Sequence, residues 1–219
     1  MADEGQPLAR RSETAMKIHG DIASGNCLKI KYTADLLGLA YEWIPVDIMK
    51  GESRTPEFLA MNPAGQVPVV DFGGGKYLAQ SNAIIRYLAR GSELLPDDPF
   101  VQAKIDEWLF WEQYSHEPYI GTCRFHMVYK KHPKETREGW RVERGEKALD
   151  LMESHLDAAN KSGQFTPSIR PFFVGGTLTI ADIALLAYTR VAHEGGFEMS
   201  GRPCIRDWIT RCENKIGIH

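Results

Sequence analysis

In residues 62–90, NPAGQVPVVDFGGGKYLAQSNAIIRYLAR, two short apolar runs flank three consecutive glycines and lead straight into a helical pattern. VPVVDF and KYLA are predicted to pair as adjacent strands around the turn at 73–75, closed by a helix over SNAIIRYLAR. A proline between apolar β-formers has no N–H to give a ladder, so QVPVV must sit where one strand edge is left free. That allows an ordinary edge-strand proline. It also allows a cis Val67–Pro68 peptide that turns the Val67 backbone outward, offering its N–H and C=O to an extended ligand as another strand would. Ser81, at or near the N-cap of the following helix, has two readings as well. It caps its own helix, or the free N–H groups and positive helix end there receive a carboxylate.

Upstream, the pattern gives a strand at 17–20, a loop, a helix at about 27–37 and a strand around 41–46, a βαβ opening that leads through the polar loop DIMKGESRTPEFLAMNPAGQ into QVPVV. Residues 1–15 are polar and mixed in charge, without the apolar core of a signal peptide, and are expected to be a disordered tail, with Met16 a candidate natural start. Downstream, GSELLPDDPF interrupts the pattern with two prolines and acidic residues, so a linker is expected at 92–100. Helical spacing then dominates: 101–114 running into 119–131 with a break at Pro118, then 140–159, 180–193 and 205–214. The expected organisation is an α/β domain over 16–91 and an all-helical domain over 101–219. Within the latter, TIAD places Thr179 and Asp182 as a reciprocal helix cap, a structural device.

Length and composition agree with a globular protein: 219 residues, 43% hydrophobic and 25% charged. A net charge of −3 and a pI near 6.2 give no electrostatic reason for a nucleic acid or an anionic membrane as partner. No apolar run approaches the ~18 residues of a membrane helix. Cys27, Cys123, Cys204 and Cys212 are scattered and form no C-x-x-C pair, so no disulfide framework is expected, and a reducing cytoplasm is the default location. No metal site is expected at His116 and Glu117, because position 120 is Ile and the H-E-x-x-H pattern fails.

NPAGQVPVV followed by LAQSNAIIRYLA resembles the glutathione-binding half of the cytosolic glutathione transferases, and GGTLTIADIALLAY resembles the helix opening of their second domain. The three motifs stand in the family's order and spacing, and the resemblance runs from about Met16 to the end. It implies a thioredoxin-like first domain, an all-helical second domain, and a homodimer whose glutathione is held mainly by the first domain. Carried over by residue, Val67 beside Pro68 pairs its backbone with the cysteinyl unit of glutathione, and Gln80 and Ser81 hold the γ-glutamyl end. Many relatives have Glu at the position of Gln80, where a neutral amide offers the γ-glutamyl ammonium no charge. Gln66, Ser53 and Arg54 match positions that reach the glycyl end, and Arg86, one turn beyond Ser81, reads as structural.

The same family places its activating hydroxyl or thiol between the first strand and the first helix, where this chain reads IASGNCLKIK. A helix N-terminus there supplies spare N–H donors and a positive field, both of which favour a thiolate. Ser24 is the first candidate donor to the glutathione sulfur and Asn26 the second, with Gly25 letting backbone pass close to the ligand. Cys27 is the third, since a thiol at a helix start can have a lowered pKa. SGN resembles a bacterial group related to the serine-type theta and phi classes, and no tyrosine follows the first strand. The electrophile pocket is expected from the second domain, with Tyr114, His116 and Arg124 as candidates among aromatics that are mostly core. The implied activity is detoxifying conjugation of glutathione to hydrophobic electrophiles. The alternatives are glutathione-dependent reduction of a peroxide or disulfide, and a non-catalytic glutathione-binding module.

Overall fold

The computed structural model describes residues 15–166 and 170–218, so nearly all of the expected N-terminal tail lies outside the described residues. The chain divides into two compact units, one ending at Leu95 and the other beginning at Pro96.

In the first unit, β1 (Met16–Gly20) alternates as MKIHG demands: Met16, Ile18 and Gly20 are buried, Lys17 is exposed and His19 half-buried. β2 (Tyr41–Pro45) lies parallel to β1, so the chain must cross over between them, and α1 (Gly25–Leu36) is that crossover. β3 (Val69–Asp71) runs antiparallel to β1, and β4 (Tyr77–Ala79) antiparallel to β3, giving the order β2-β1-β3-β4. The hairpin between β3 and β4 turns on Gly73, Gly74 and Gly75, all at positive φ, a region that suits residues without Cβ. Register puts His19, Val69 and Ala79 on one face of the sheet. There α2 (Pro56–Met61) brings Phe58 and Met61 into a cluster with Val46 and Val69. Ile18 and Val70 point the other way. α1 packs with α3 (Ser81–Leu88), burying Ile30, Ala34, Ile84 and Ile85 completely. This is a thioredoxin-like arrangement. β3 is shorter than the VPVVDF run because Pro68 has no N–H to contribute, so the ladder starts at Val69. The Val67–Pro68 peptide is cis.

The described elements of the second unit are all helices, joined by loops of which the longest lies between Lys161 and Ile180. α4 (Pro99–Trp111) begins two residues before the pattern suggested. Pro99 and Phe100 belong to the helix, not to a linker, because the Asp98 carboxylate accepts from the N–H groups of Phe100 and Val101, with Pro99 in the first turn. The expected break at Pro118 takes the form of an interruption just before it, where His116 leaves the α region at φ −122° and ψ −65°. α4 ends in a π-helical turn at Glu112–His116, and α5 (Glu117–Arg124) starts after it with Pro118 in its first turn, where no N–H is required. A second π-helical turn, Phe125–Tyr129, follows. α6 (Gly139–Lys161), α7 (Ile180–Thr189) and α8 (Pro203–Ile216) complete the unit.

Every residue of α7 is buried, with α4, α5 and α8 packed against it. Its N-terminus is closed by a capping box between Thr179 and Asp182. Asp182 does more than cap. Oδ1 accepts from the Phe173 N–H and the Trp208 indole N–H, both at 2.9 Å, while Oδ2 accepts from the Thr179 N–H at 3.0 Å and hydroxyl at 3.1 Å. One fully buried carboxylate thus ties the start of α7 to α8 and to the preceding loop.

Candidate functional site

The β1–α1 junction is shaped by Asp21, whose side chain accepts from the Ala23 N–H at 2.8 Å and whose carbonyl accepts from the Ser24 N–H at 3.0 Å. That turn makes Ser24 the N-cap of α1, with φ −81° and ψ 122°, but its side chain does not cap the helix, and the first turn holds no acidic residue. The Ser24 side chain lies near the Cys27 thiol and acts to lower its pKa. Gly25 is buried behind it.

Cys27 is fully buried. Its sulfur lies against Gly20, where an added Cβ would come within 3.1 Å of it, and accepts from the Asp21 N–H at 3.4 Å. Burial pushes the thiol up to about 12, against the lowering influence of the Ser24 side chain and of the Asp21 N–H that donates to the sulfur. The expectation of an activated thiol at Cys27 is therefore corrected: the α1 N-terminus favours a thiolate, but removal from water outweighs it. At pH 8 only about one such thiol in ten thousand is ionised. Alkylation of the native protein with iodoacetamide at that pH should leave Cys27 unmodified, while the urea-unfolded chain is labelled at all four cysteines. Peptide mass mapping reads both, and native labelling of Cys27 would reverse the correction.

At the start of α3 the N-cap is Gln80, at φ 69° and ψ 107°, and not Ser81. The left-handed φ turns the chain so that Gln80 stays exposed and Ser81, the first helical residue, points inward and is buried. Gln80 makes no side-chain cap, so α3, like α1, begins without one; α2 and α4 carry theirs on Thr55 and Asp98. The Ser81 hydroxyl donates to Asn26 Oδ1 at 3.0 Å, joining the two helix starts. Sequence reasoning missed a third member. Lys29 is completely buried, and its Nζ donates to Asn82 Oδ1 at 3.2 Å and Ser81 Oγ at 3.4 Å. The available signal was a file of Gly25, Lys29 and Thr33 spaced by four along α1, all three buried.

The loop before β3 is fastened by Asn62, which donates from Nδ2 to the Gln66 carbonyl at 2.8 Å and accepts from the Ala64 N–H at 3.2 Å. Arg54 lies across this loop, Nη1 donating to the Ala64 carbonyl at 3.1 Å. Its guanidinium covers Gly65, where a Cβ would fall 2.5 Å from Nη1 and where φ is +61°. Arg54, Gln66 and Val67 are thereby brought together, with Arg54 and Gln66 exposed and Val67 half-buried, while Ser53 is buried.

The second unit does not assemble the three pocket candidates. Tyr114 is 81% exposed, but His116 is fully buried with Nε2 2.9 Å from Thr189 Oγ1, and Arg124 is buried with Nε donating to Glu194 Oε2 at 2.6 Å. His116 and Arg124 are corrected to interior groups: the π-helical turn rotates His116 inward toward α7, and Arg124 is held by an ion pair. An open groove of about 680 Å³ in this unit, lined among others by Arg190, His193, Met199 and Arg206, contains none of the residues singled out from the sequence. Among the described residues, no group of three His, Cys, Asp or Glu side chains is placed to hold a metal ion.

Residues 23–90 match the family model of the glutathione S-transferase N-terminal domain, and residues 134–211 that of the C-terminal domain. Glutathione S-transferase 3 of Zea mays is 30% identical over 205 residues, 88% of this chain and 86% of the maize protein. A crystal structure of a glutathione S-transferase from Pseudomonas fluorescens is 46% identical with a TM-score of 0.82, covering 91% of this chain and 95% of that one. A possible glutathione S-transferase from Rhodopseudomonas palustris gives 39% and 0.84, covering 94% and 97%.

Proposed function

The chain belongs to the glutathione S-transferase family, and we propose that it stabilises the glutathione thiolate at the head of α1 and conjugates it to a hydrophobic electrophile. The observation that carries the reading is the pair of helix starts at Ser24 and Gln80, both without a side-chain cap and joined by the hydrogen bond from Ser81 to Asn26. Uncapped N–H groups favour an anion, and glutathione carries a thiolate and a γ-glutamyl carboxylate that suit two such ends. In this reading Ser24 donates to the sulfur, Asn26 assists, Val67 pairs with the cysteinyl backbone, and Gln80 and Ser81 hold the γ-glutamyl end. Gln66, Arg54 and Ser53 serve the glycyl end. Tyr114 is the one pocket candidate left exposed to meet an electrophile. We further place the protein in the cytoplasm, as a homodimer.

Disulfide reduction through a mixed disulfide at Cys27 is disfavoured by the burial of that thiol. Peroxide reduction needs no protein thiol: the activated glutathione sulfur attacks the peroxide and a second glutathione converts the resulting sulfenic acid to the disulfide and water. The purified protein should be retained on glutathione resin, be eluted by free glutathione, and accelerate conjugation of a chromogenic aryl halide. Retention without turnover of either an aryl halide or a hydroperoxide would reduce the proposal to a binding module, and no retention would remove it.

A further inference from the structure

We propose that Lys29 is a positioning residue for glutathione, fixing Ser81 as a hydrogen-bond donor to the γ-glutamyl carboxylate; this rests on the reading that the carboxylate docks at Ser81. The Lys29 side chain is completely buried beneath the start of α3, reaching from α1 to Ser81 Oγ and Asn82 Oδ1. A lysine nitrogen donates and never accepts, so Ser81 must receive from it. The single Ser81 proton is then free to point elsewhere, and it points at Asn26 Oδ1, 3.0 Å away. An arriving carboxylate oxygen finds that proton already presented, and need only replace one acceptor by a stronger one. Without Lys29 the hydroxyl can turn round and accept, presenting a lone pair to the carboxylate. The cationic side chain also adds to the positive end of α3, whose first turn contains no acidic residue to cancel it.

The test compares glutathione with 4-aminobutyryl-cysteinyl-glycine, which lacks only the γ-glutamyl carboxylate, binding to wild type and to Lys29→Met by calorimetry. Wild type should prefer glutathione. In Lys29→Met the glutathione Kd should rise about 10- to 100-fold while the Kd of the analogue stays within about twofold. With saturating glutathione the conjugation kcat should be retained, so the loss appears in KM. Equal weakening of both ligands would mean that Lys29 only supports the fold, and an undiminished preference for glutathione would mean that Ser81 needs no help; either overturns the proposal. Wild type that fails to distinguish the two ligands would instead overturn the docking of the carboxylate at Ser81, and this inference with it. If Lys29→Met does not fold, Lys29→Gln, which fills the space without the charge and can accept as well as donate, is read by the same comparison.

Discussion

Asp182→Ala is expected to lower stability by about 3–5 kcal/mol, a drop of roughly 6–20 °C in the thermal midpoint followed by circular dichroism. The alanine leaves the N–H groups of Phe173 and Thr179 and the indole N–H of Trp208 without their acceptor, all in a buried place. It also opens a void beside Trp208, which is itself fully buried. Asp182→Asn keeps one acceptor oxygen but turns an NH2 group toward donors, so it should cost less, about 1–3 kcal/mol. Burial pushes the Asp182 carboxyl above the usual carboxylate range, and its four donors pull it back only in part. A folded-state pKa above the unfolded one means that this group's contribution falls as the pH rises from the usual carboxylate value through the raised one. Asp182→Asn should abolish that contribution, leaving a flatter stability profile over the window. An unchanged midpoint for Asp182→Ala would show that the donors find other partners and that the carboxylate does not hold α7 to α8.

The elements that were legible are those whose side chains announce a period or a stop. MKIHG alternates, three glycines mark the hairpin, and TIAD spells out a reciprocal cap, so β1, the β3–β4 turn and the start of α7 stand where the pattern put them. What the pattern could not supply was direction and depth. Ser81 looks like an N-cap by residue type, yet the left-handed φ of Gln80 moves the cap back by one residue and sends Ser81 inward. Cys27 has the right position for an activated thiol and the wrong solvation, and solvation is a property of what packs against it, Gly20 among its neighbours. Lys29 is the clearest case. A lysine in CLKIK reads as a solvated face, because nothing local reports that Ser81 and Asn82, 52 and 53 residues later, will close over it. His116 and Arg124 fail as pocket groups for a related reason: one extra residue per π-helical turn shifts the helix face, and helical spacing counted in steps of 3.6 loses its register there.

Ser24→Ala should slow conjugation by about 10- to 1,000-fold, the range expected when one donor to a developing or resident charge is removed. Because the Ser24 side chain does not cap α1, its removal takes nothing from the helix, and the thermal midpoint should stay near that of wild type. Its hydroxyl, not engaged in capping the helix, can turn to the ligand sulfur. Glutathione affinity should be nearly intact, since the reading assigns it to Val67, Gln80 and Ser81. The bound thiol, titrated by thiolate absorbance, should shift to higher pH, so the loss of rate is largest near neutrality and shrinks as the pH rises. Asn26→Ala separates the two donors. Asn26 Oδ1 already receives the Ser81 proton, so its loss should disturb glutathione affinity as well as rate, while Ser24→Ala disturbs rate alone. Cys27→Ala vacates a packed position and should lower stability, yet leave the conjugation rate and its pH profile unchanged. If Ser24→Ala and Asn26→Ala both keep the wild-type rate and pH profile, no side chain at this junction activates the sulfur, and the uncapped N–H groups of α1 must hold the thiolate by themselves.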